Sequence, residues 1–153
     1  MRVRSAKPED IDCCTALLHT LFSQEAEFVP DARLQRRGLG MIVAEPSLGR
    51  VLVCQETKSG GIVGMVVLLF TFSTALGARV VLLEDMVVDP SYRSRGVGGL
   101  LLREAEALAR SEGYERITLL TDGDNLRAQA FYEKNGYNRS KMAVFRRMLS
   151  RSE

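Results

Sequence analysis

The segment from Val80 to Leu120 narrows the choice of folds more than any other part of the chain. A β-prone run, "RVVLLEDMVV", is followed by a glycine-rich turn, a long amphipathic stretch from Val97 to Ser111, and a second β-prone run, "RITLLT". Val97, Leu101, Ala105 and Leu108 recur at helical spacing, Glu106 stands four residues before Arg110, and Gly113 provides a stop. A strand–helix–strand unit of this length brings its two strands side by side in parallel through a right-handed crossover. The fold must therefore hold a parallel pair with a helix laid across it.

The residues before Val80 add strands of a different kind. "RVLVCQE", the turn "TKSGG", "IVGMVVLLFTF", the turn "STALGA" and "RVVLLEDMVV" read as three strands joined by short connections, an antiparallel meander. Ahead of them lie a first strand in "MRVRSA" and a helix from Pro8 to about Ser23, with Glu9 and Asp10 favouring its dipole. A second helix, capped by Asp31, runs to about Ala44. After "RITLLT" come the turn "DGD", a helix over Asn125–Lys134 stopped at Asn135-Gly136, and a last strand, "MAVFRRML". The order β-α-α-β-β-β-α-β-α-β-β predicts a mixed α/β fold: one domain over residues 1–153, with a central mixed sheet of six to seven strands and helices on both faces.

Glycine within a helix costs about 1 kcal/mol relative to alanine, yet Gly96, Gly98 and Gly99 cluster where the long helix begins, just after Arg93 and Arg95. A helix start offers unsatisfied amides and a partial positive charge, which together attract an anion. Glycine lets a phosphate approach that backbone, and the arginines add formal charge. The alternative is close packing of helix on strand beside solvated arginines. A dinucleotide fingerprint does not fit, because its third glycine would fall at Leu101, and no Gly-Lys-Ser/Thr follows for a Walker loop.

Arg93-x-x-Gly96-x-Gly98 after Val88-Asp89-Pro90 resembles the pyrophosphate-binding loop of the GNAT superfamily of acyl-CoA-dependent N-acyltransferases. "NLRAQAFYEKNGY", from Asn125 to Tyr137, is similar to that family's later motif. The resemblance implies acetyl-CoA as acyl donor, with its pyrophosphate on the amides of Ser94, Arg95, Gly96, Val97, Gly98 and Gly99. Arg93 would support the loop or the phosphates, and Met86, Val87 and Val88 would contact pantetheine along a bulged strand. Tyr132 corresponds to the family's general acid near the sulfur, and Glu84 to a carboxylate that deprotonates the amine. Asp85 and ordered water stay open as alternative bases, because neighbours on a regular strand face opposite ways. Partial burial of Glu84 would raise its pKa usefully. Asn125 would bind the cofactor or, like Asp124, cap its helix, and Lys134 would meet the 3′-phosphate or solvent.

The implied activity is an N-acetyltransferase acting on a primary amine of a small molecule or peptide; the rival is a catalytically silent acyl-CoA-binding module. Glu25, Glu27 and Asp31 would attract a cationic acceptor or form a solvated loop, and Phe28, Phe70 and Phe72 would line its pocket or fill the core. With 21 basic and 19 acidic residues, nothing in the overall charge calls for nucleic acid. Three cysteines at Cys13, Cys14 and Cys54 and a lone His19 have no metal-ligand spacing. The cysteines read as buried small hydrophobes in a reducing compartment. The N-terminus has no signal-type apolar core, and Ile62–Phe72 is about half the length of a spanning helix. The expectation is a cytoplasmic protein that needs no membrane or metal, with "MAVFRRML" offering a strand for a homodimer, again as the resemblance implies.

Overall fold

The computed structural model describes residues 1–24 and 29–149, so Glu25, Glu27 and Phe28 lie outside the described residues. The chain divides into two compact units, Met1–Leu120 and Thr121–Glu153. The first contains β1 (Arg2–Ser5), α1 (Ile11–Phe22), α2 (Ala32–Ala44), β2 (Gly49–Gln55), β3 (Ile62–Ser73), β4 (Ala78–Val88), α3 (Val97–Ser111) and β5 (Ile117–Leu119). The second contains α4 (Leu126–Lys134).

A single mixed sheet runs in the order β1-β2-β3-β4-β5. The first four strands pair antiparallel as the short turns require, and β5 joins β4 in parallel. This sheet has five strands, not the expected six to seven. Residues 142–149 form no strand, and Met142, Phe145 and Met148 are exposed. The alternation in "MAVFRRML" thus has no buried face to answer to, and the strand expected to carry a homodimer is not formed.

Alternation along the strands separates two cores. Val51, Val53, Met65, Val67 and Val87 pack with Cys14, Leu17, Leu18 and Leu39 from α1 and α2. On the other face α3 buries Val97, Leu101, Leu102, Ala105 and Ala109. Its close approach is made possible on the sheet side by Gly64: a Cβ there would lie 3.1 Å from Val97 Cγ1 and 3.2 Å from Leu101 Cδ1. Gly49 is needed for a harder reason, since a Cβ would stand 2.2 Å from the Leu68 carbonyl oxygen. Cys14 and Cys54 are buried as expected, whereas Cys13, one position round the helix, is exposed. Among the described residues no helix is long and apolar enough to cross a membrane, and no group of three or more His, Cys, Asp or Glu side chains is placed to hold a metal.

The first helix departs from its predicted start. Pro8–Asp10 form a 3-10 turn, and α1 begins at Ile11. Asp10 does more than face the helix dipole. Arg4 on β1 grips it with two hydrogen bonds, 2.6 Å to Oδ2 and 3.0 Å to Oδ1, and the Lys7 amide donates to Oδ2 at 2.7 Å. The carboxylate is 8% exposed and the guanidinium 21%, so the pair ties the sheet edge to the helix out of reach of most water. The Arg4 guanidinium holds the Asp10 carboxyl below its usual range. A depressed carboxylate contributes stability above its unfolded value of about 3.9 and loses it as pH falls through the folded value. Asp10→Asn should therefore lower stability at neutral pH by about 3 kcal/mol, the lower end for breaking a buried pair. The gap between parent and variant, followed by urea unfolding, should close below about pH 4; a constant gap would assign the effect to packing instead.

Candidate active site

In the first unit, β4 must satisfy β3 on one side and β5 on the other. Its register with β3 is regular from Val88 opposite Gly64 to Met86 opposite Val66, and again from Leu83 opposite Leu68 to Ala78 opposite Ser73. Between these stretches Glu84 and Asp85 together oppose Val67, so one extra residue is inserted in β4: a β-bulge. The alternation argument fails here. Leu83 and Met86 both share the α3 side with their partners, and Glu84 and Asp85 jointly occupy a single position of the opposite face. Glu84 is exposed, so the partial burial expected of it is absent; Asp85 is half-buried.

The bulge coincides with the end of the parallel ladder. β5 pairs with Val81, Leu82 and Leu83 and goes no further. The Asp89 amide donates to Val63 on β3 at 2.9 Å, so Asp89 and Val87 direct their main chains toward β3. Met86 and Val88 direct theirs the other way, toward the side that β5 has left. The Val87 side chain is buried in the α1/α2 core. Of the three residues expected to line the cofactor, Met86 and Val88 thus have main-chain groups on the diverging side, and Val87 does not.

Beyond β4 the Asp89 carboxylate accepts from the Ser91 amide at 2.8 Å and from the Ser91 hydroxyl, capping a 3-10 turn over Pro90–Tyr92. Those two donors lower the Asp89 pKa. Arg93 Nε reaches back to donate to the Val88 carbonyl at 3.3 Å, a contact that ties the loop to the end of β4. Ser94 then adopts φ 60° and Gly96 φ 80°, and Arg95 between them is not in the left-handed region. Alternating handedness of this kind turns successive amides toward one point, an anion-binding nest. A non-glycine residue held left-handed costs about 1 kcal/mol or more, and such strain gathers at ligand sites.

α3 starts at Val97 with Gly96 as N-cap and no side-chain cap. The contrast with the other helices is instructive. Asp31 Oδ1 accepts from the Arg33 and Leu34 amides at the start of α2, and Asn125 Oδ1 accepts from the Ala128 amide at the start of α4. At α3 the same chain uses glycine and, among the described residues, leaves the first-turn amides of Val97, Gly98 and Gly99 without a side-chain acceptor. Gly96 also has no atom within 4 Å of where its Cβ would stand. These first-turn amides could hold an anion such as a pyrophosphate. Arg95 is exposed, with its guanidinium carbon 5.0 Å from the Tyr92 ring centroid. Tyr92 in turn donates to Glu56 Oε2 at 3.0 Å. Neither Tyr92 nor Glu56 was marked as functional by the sequence: they lie 36 residues apart, and no motif spacing joins them.

The second unit explains the spacing of the later motif. At the end of α4 Gly136 has φ 89°, its amide donates to Glu133 O at 3.0 Å, and the Tyr137 amide donates to Tyr132 O at 3.1 Å. This is a Schellman stop, which needs glycine just past the cap and favours an apolar contact between the next residue and one five earlier. Tyr137 and Tyr132 make that contact, their rings edge-on at 6.0 Å, and Phe131 flanks Tyr132 at 5.3 Å. Burial pushes the Tyr132 phenol up to about 12, which keeps it protonated across the physiological range. Asn125 caps α4, Asp124 does not share that bond, and Lys134 is exposed. Of the aromatic acceptor candidates, Phe70 stacks on Tyr114 with centroids 4.6 Å apart and Phe72 is exposed.

Comparison with known proteins points to one family. The family profile described as "Acetyltransferase (GNAT) family" matches residues 14–137. The uncharacterized N-acetyltransferase YhfO of Bacillus subtilis (strain 168) is 31% identical over 90% of this chain and 89% of its own. The aminoalkylphosphonate N-acetyltransferase of Salmonella typhimurium (strain LT2) is 29% identical over 90% and 85%. Among solved structures, a possible acetyltransferase from Clostridium difficile 630 superposes with a TM-score of 0.86, covering 98% of both chains at 16% identity.

Proposed function

We propose a specific reaction for this chain, which belongs to the acetyltransferase (GNAT) family and is an acetyl-CoA-dependent acyltransferase: a primary amine of a small molecule or peptide attacks the thioester directly within one ternary complex. Acetyl-CoA, when bound, supplies an acetyl group already activated as that thioester. The observation that carries the reading is the junction of two features in the first unit. The bulge at Glu84–Asp85 coincides with the end of the β5 ladder, and past the end of β4, at Val97, α3 begins without a side-chain cap. The first suits an extended pantetheine arm lying along Met86 and Val88. The second suits the pyrophosphate, held by amides from Ser94 through Gly99 with Arg95 beside them and Arg93 bracing the loop.

The main chain of Val88 is the donor proposed to polarise the thioester carbonyl. A preorganised amide aimed at a developing oxyanion contributes about 3 kcal/mol. Glu84 is proposed to take the proton that the acceptor ammonium must lose, directly or through water. Tyr132 is proposed to donate to the departing thiolate. Its high pKa refines that role: burial pushes the phenol up to about 12, so it remains a hydrogen-bond donor at neutral pH. It stabilises the sulfur by a hydrogen bond as charge develops, and the proton balance is completed by the ammonium formed on the attacking nitrogen.

The name of the Salmonella typhimurium relative specifies an aminoalkylphosphonate acceptor, which supports a small primary amine here. The function is tested by incubating the protein with acetyl-CoA and a panel of aminoalkylphosphonates, polyamines, amino acids, aminoglycosides and peptides, read by mass spectrometry. The expected product is a mono-N-acetylated amine. Coenzyme A binding with no product across the panel would instead favour a silent binding module. With an acceptor in hand, Tyr132→Phe should lower kcat about 100-fold, the scale of removing one hydrogen-bond donor from a developing anion, with little change in acetyl-CoA affinity; because the phenol stays protonated below about 12, the pH profile should keep its shape between pH 6 and 9. Glu84→Gln should slow acetylation most at the acid end of that range, where the amine is hardest to deprotonate, and a profile parallel to the parent's would remove it as the base.

A further inference from the structure

Arg95 is an exposed arginine on a loop, and such a side chain samples many rotamers whose loss on binding weakens affinity. In this chain it is not left to do so. Its guanidinium carbon lies 5.0 Å from the Tyr92 ring centroid, within the range of a cation–π contact. The ring is held in turn. Tyr92 donates its hydroxyl to Glu56 Oε2 at 3.0 Å, and Ser59 donates to the same oxygen at 2.6 Å.

The turn that carries Glu56 is itself braced. The Glu56 amide donates to Gly61 O and the Gly60 amide to Glu56 O, each at 2.9 Å, and Gln55 Nε2 donates to Gly60 O at 2.7 Å. Glu56 makes no ion pair with Arg95 within 4.0 Å among the described residues; its charge still attracts the guanidinium at longer range, and the hydroxyl bond adds a second route through the ring. A phenol that donates to a carboxylate has a more electron-rich face, which strengthens its hold on a cation. The same carboxylate pushes the Tyr92 phenol up and keeps it a donor at neutral pH.

We propose that Tyr92 is a positioning residue: anchored to the β2–β3 turn by Glu56, it presets Arg95 beside the first turn of α3 and thereby sets how tightly the pyrophosphate of coenzyme A is held. The inference rests on reading Ser94–Gly99 as the pyrophosphate loop. It extends the donor site to a turn distant in sequence, and it identifies Glu56, a negative charge, as a group that aids the binding of an anion.

The test measures binding of coenzyme A and of pantetheine, which lacks the pyrophosphate, to the full chain by calorimetry. Tyr92→Leu and Arg95→Gln should each weaken coenzyme A binding about 2- to 5-fold, the scale of an exposed cation–π contact, and leave pantetheine binding unchanged. The double variant should lose no more than Arg95→Gln alone, because the ring acts only through the arginine. Tyr92→Phe, which keeps the ring and drops the hydroxyl, and Glu56→Gln should each give a smaller loss of the same kind. If Tyr92→Leu does not fold, Tyr92→Phe decides in its place. Unchanged coenzyme A affinity, an equal loss for coenzyme A and pantetheine, or additive effects in the double variant would each overturn the proposal. Arg93→Glu with Gly98→Glu separates the two levels. Loss of coenzyme A in that variant beside normal binding in the Tyr92 variants removes only the role of Tyr92, whereas normal binding in that variant removes the loop reading itself.

Discussion

β4 has two neighbours that run in opposite senses, and a strand can satisfy both only while its pleat stays in phase. Up to Leu83 it does so, antiparallel to β3 and parallel to β5. The extra residue at Glu84–Asp85 shifts that phase. A bulge raises local twist and bends the strand that carries it, and in this sheet the parallel partner ends where the bulge begins. The core beneath is not disturbed, because Val87 returns to register opposite Met65 and packs with α1 and α2. One inserted residue thus divides β4 into a half paired on both sides and a half whose main chain at Met86 and Val88 faces the side that β5 has left.

The start of α3 likewise gives up local stability. Helices α2 and α4 use Asp31 and Asn125 as caps, each contributing about 1 kcal/mol. α3 gives up that contribution, places glycine at the cap and holds Ser94 in a left-handed conformation. The cost is met by neighbours. Val97 and Leu101 seat the first turns of α3 over Gly64, while Asp89, Arg93 and the Tyr92–Glu56 bond fix the approach to it. The loop is strained and exposed but firmly held.

Much of this was legible in the residues. Helical spacing in Val97–Ser111 between two β-prone runs led to the parallel pair, and glycine density before a helix marked a start that has no side-chain cap. The motif from Asn125 to Tyr137 was legible because a Schellman stop has a fixed interval between its glycine and its packing partners. What stayed hidden depends on pairing between distant segments. A bulge is a mismatch between two strands, so "LEDMV" alone cannot reveal it. Arg4 and Asp10 looked like an alternating strand residue and a dipole-facing acid until β1 and the turn before α1 were brought together. The final apolar run misled in the other direction: "MAVFRRML" has strand-like residues, but residues 142–149 are not in a strand, and a β pattern specifies structure only where a neighbouring strand accepts its backbone groups.

The stop at the end of α4 has an evolutionary corollary. Because the carbonyl of Tyr132 accepts from the Tyr137 amide, and the two rings touch, the distance between them is counted in residues by the backbone itself. Inserting or deleting a single amino acid in that interval would swing the phenol about 100° around the helix axis and separate it from the ring that steadies it. Surface side chains at Glu133 and Lys134 are free to drift. Length there is not, so in diverging descendants of this chain substitution is the tolerated kind of change, and insertions or deletions must fall elsewhere.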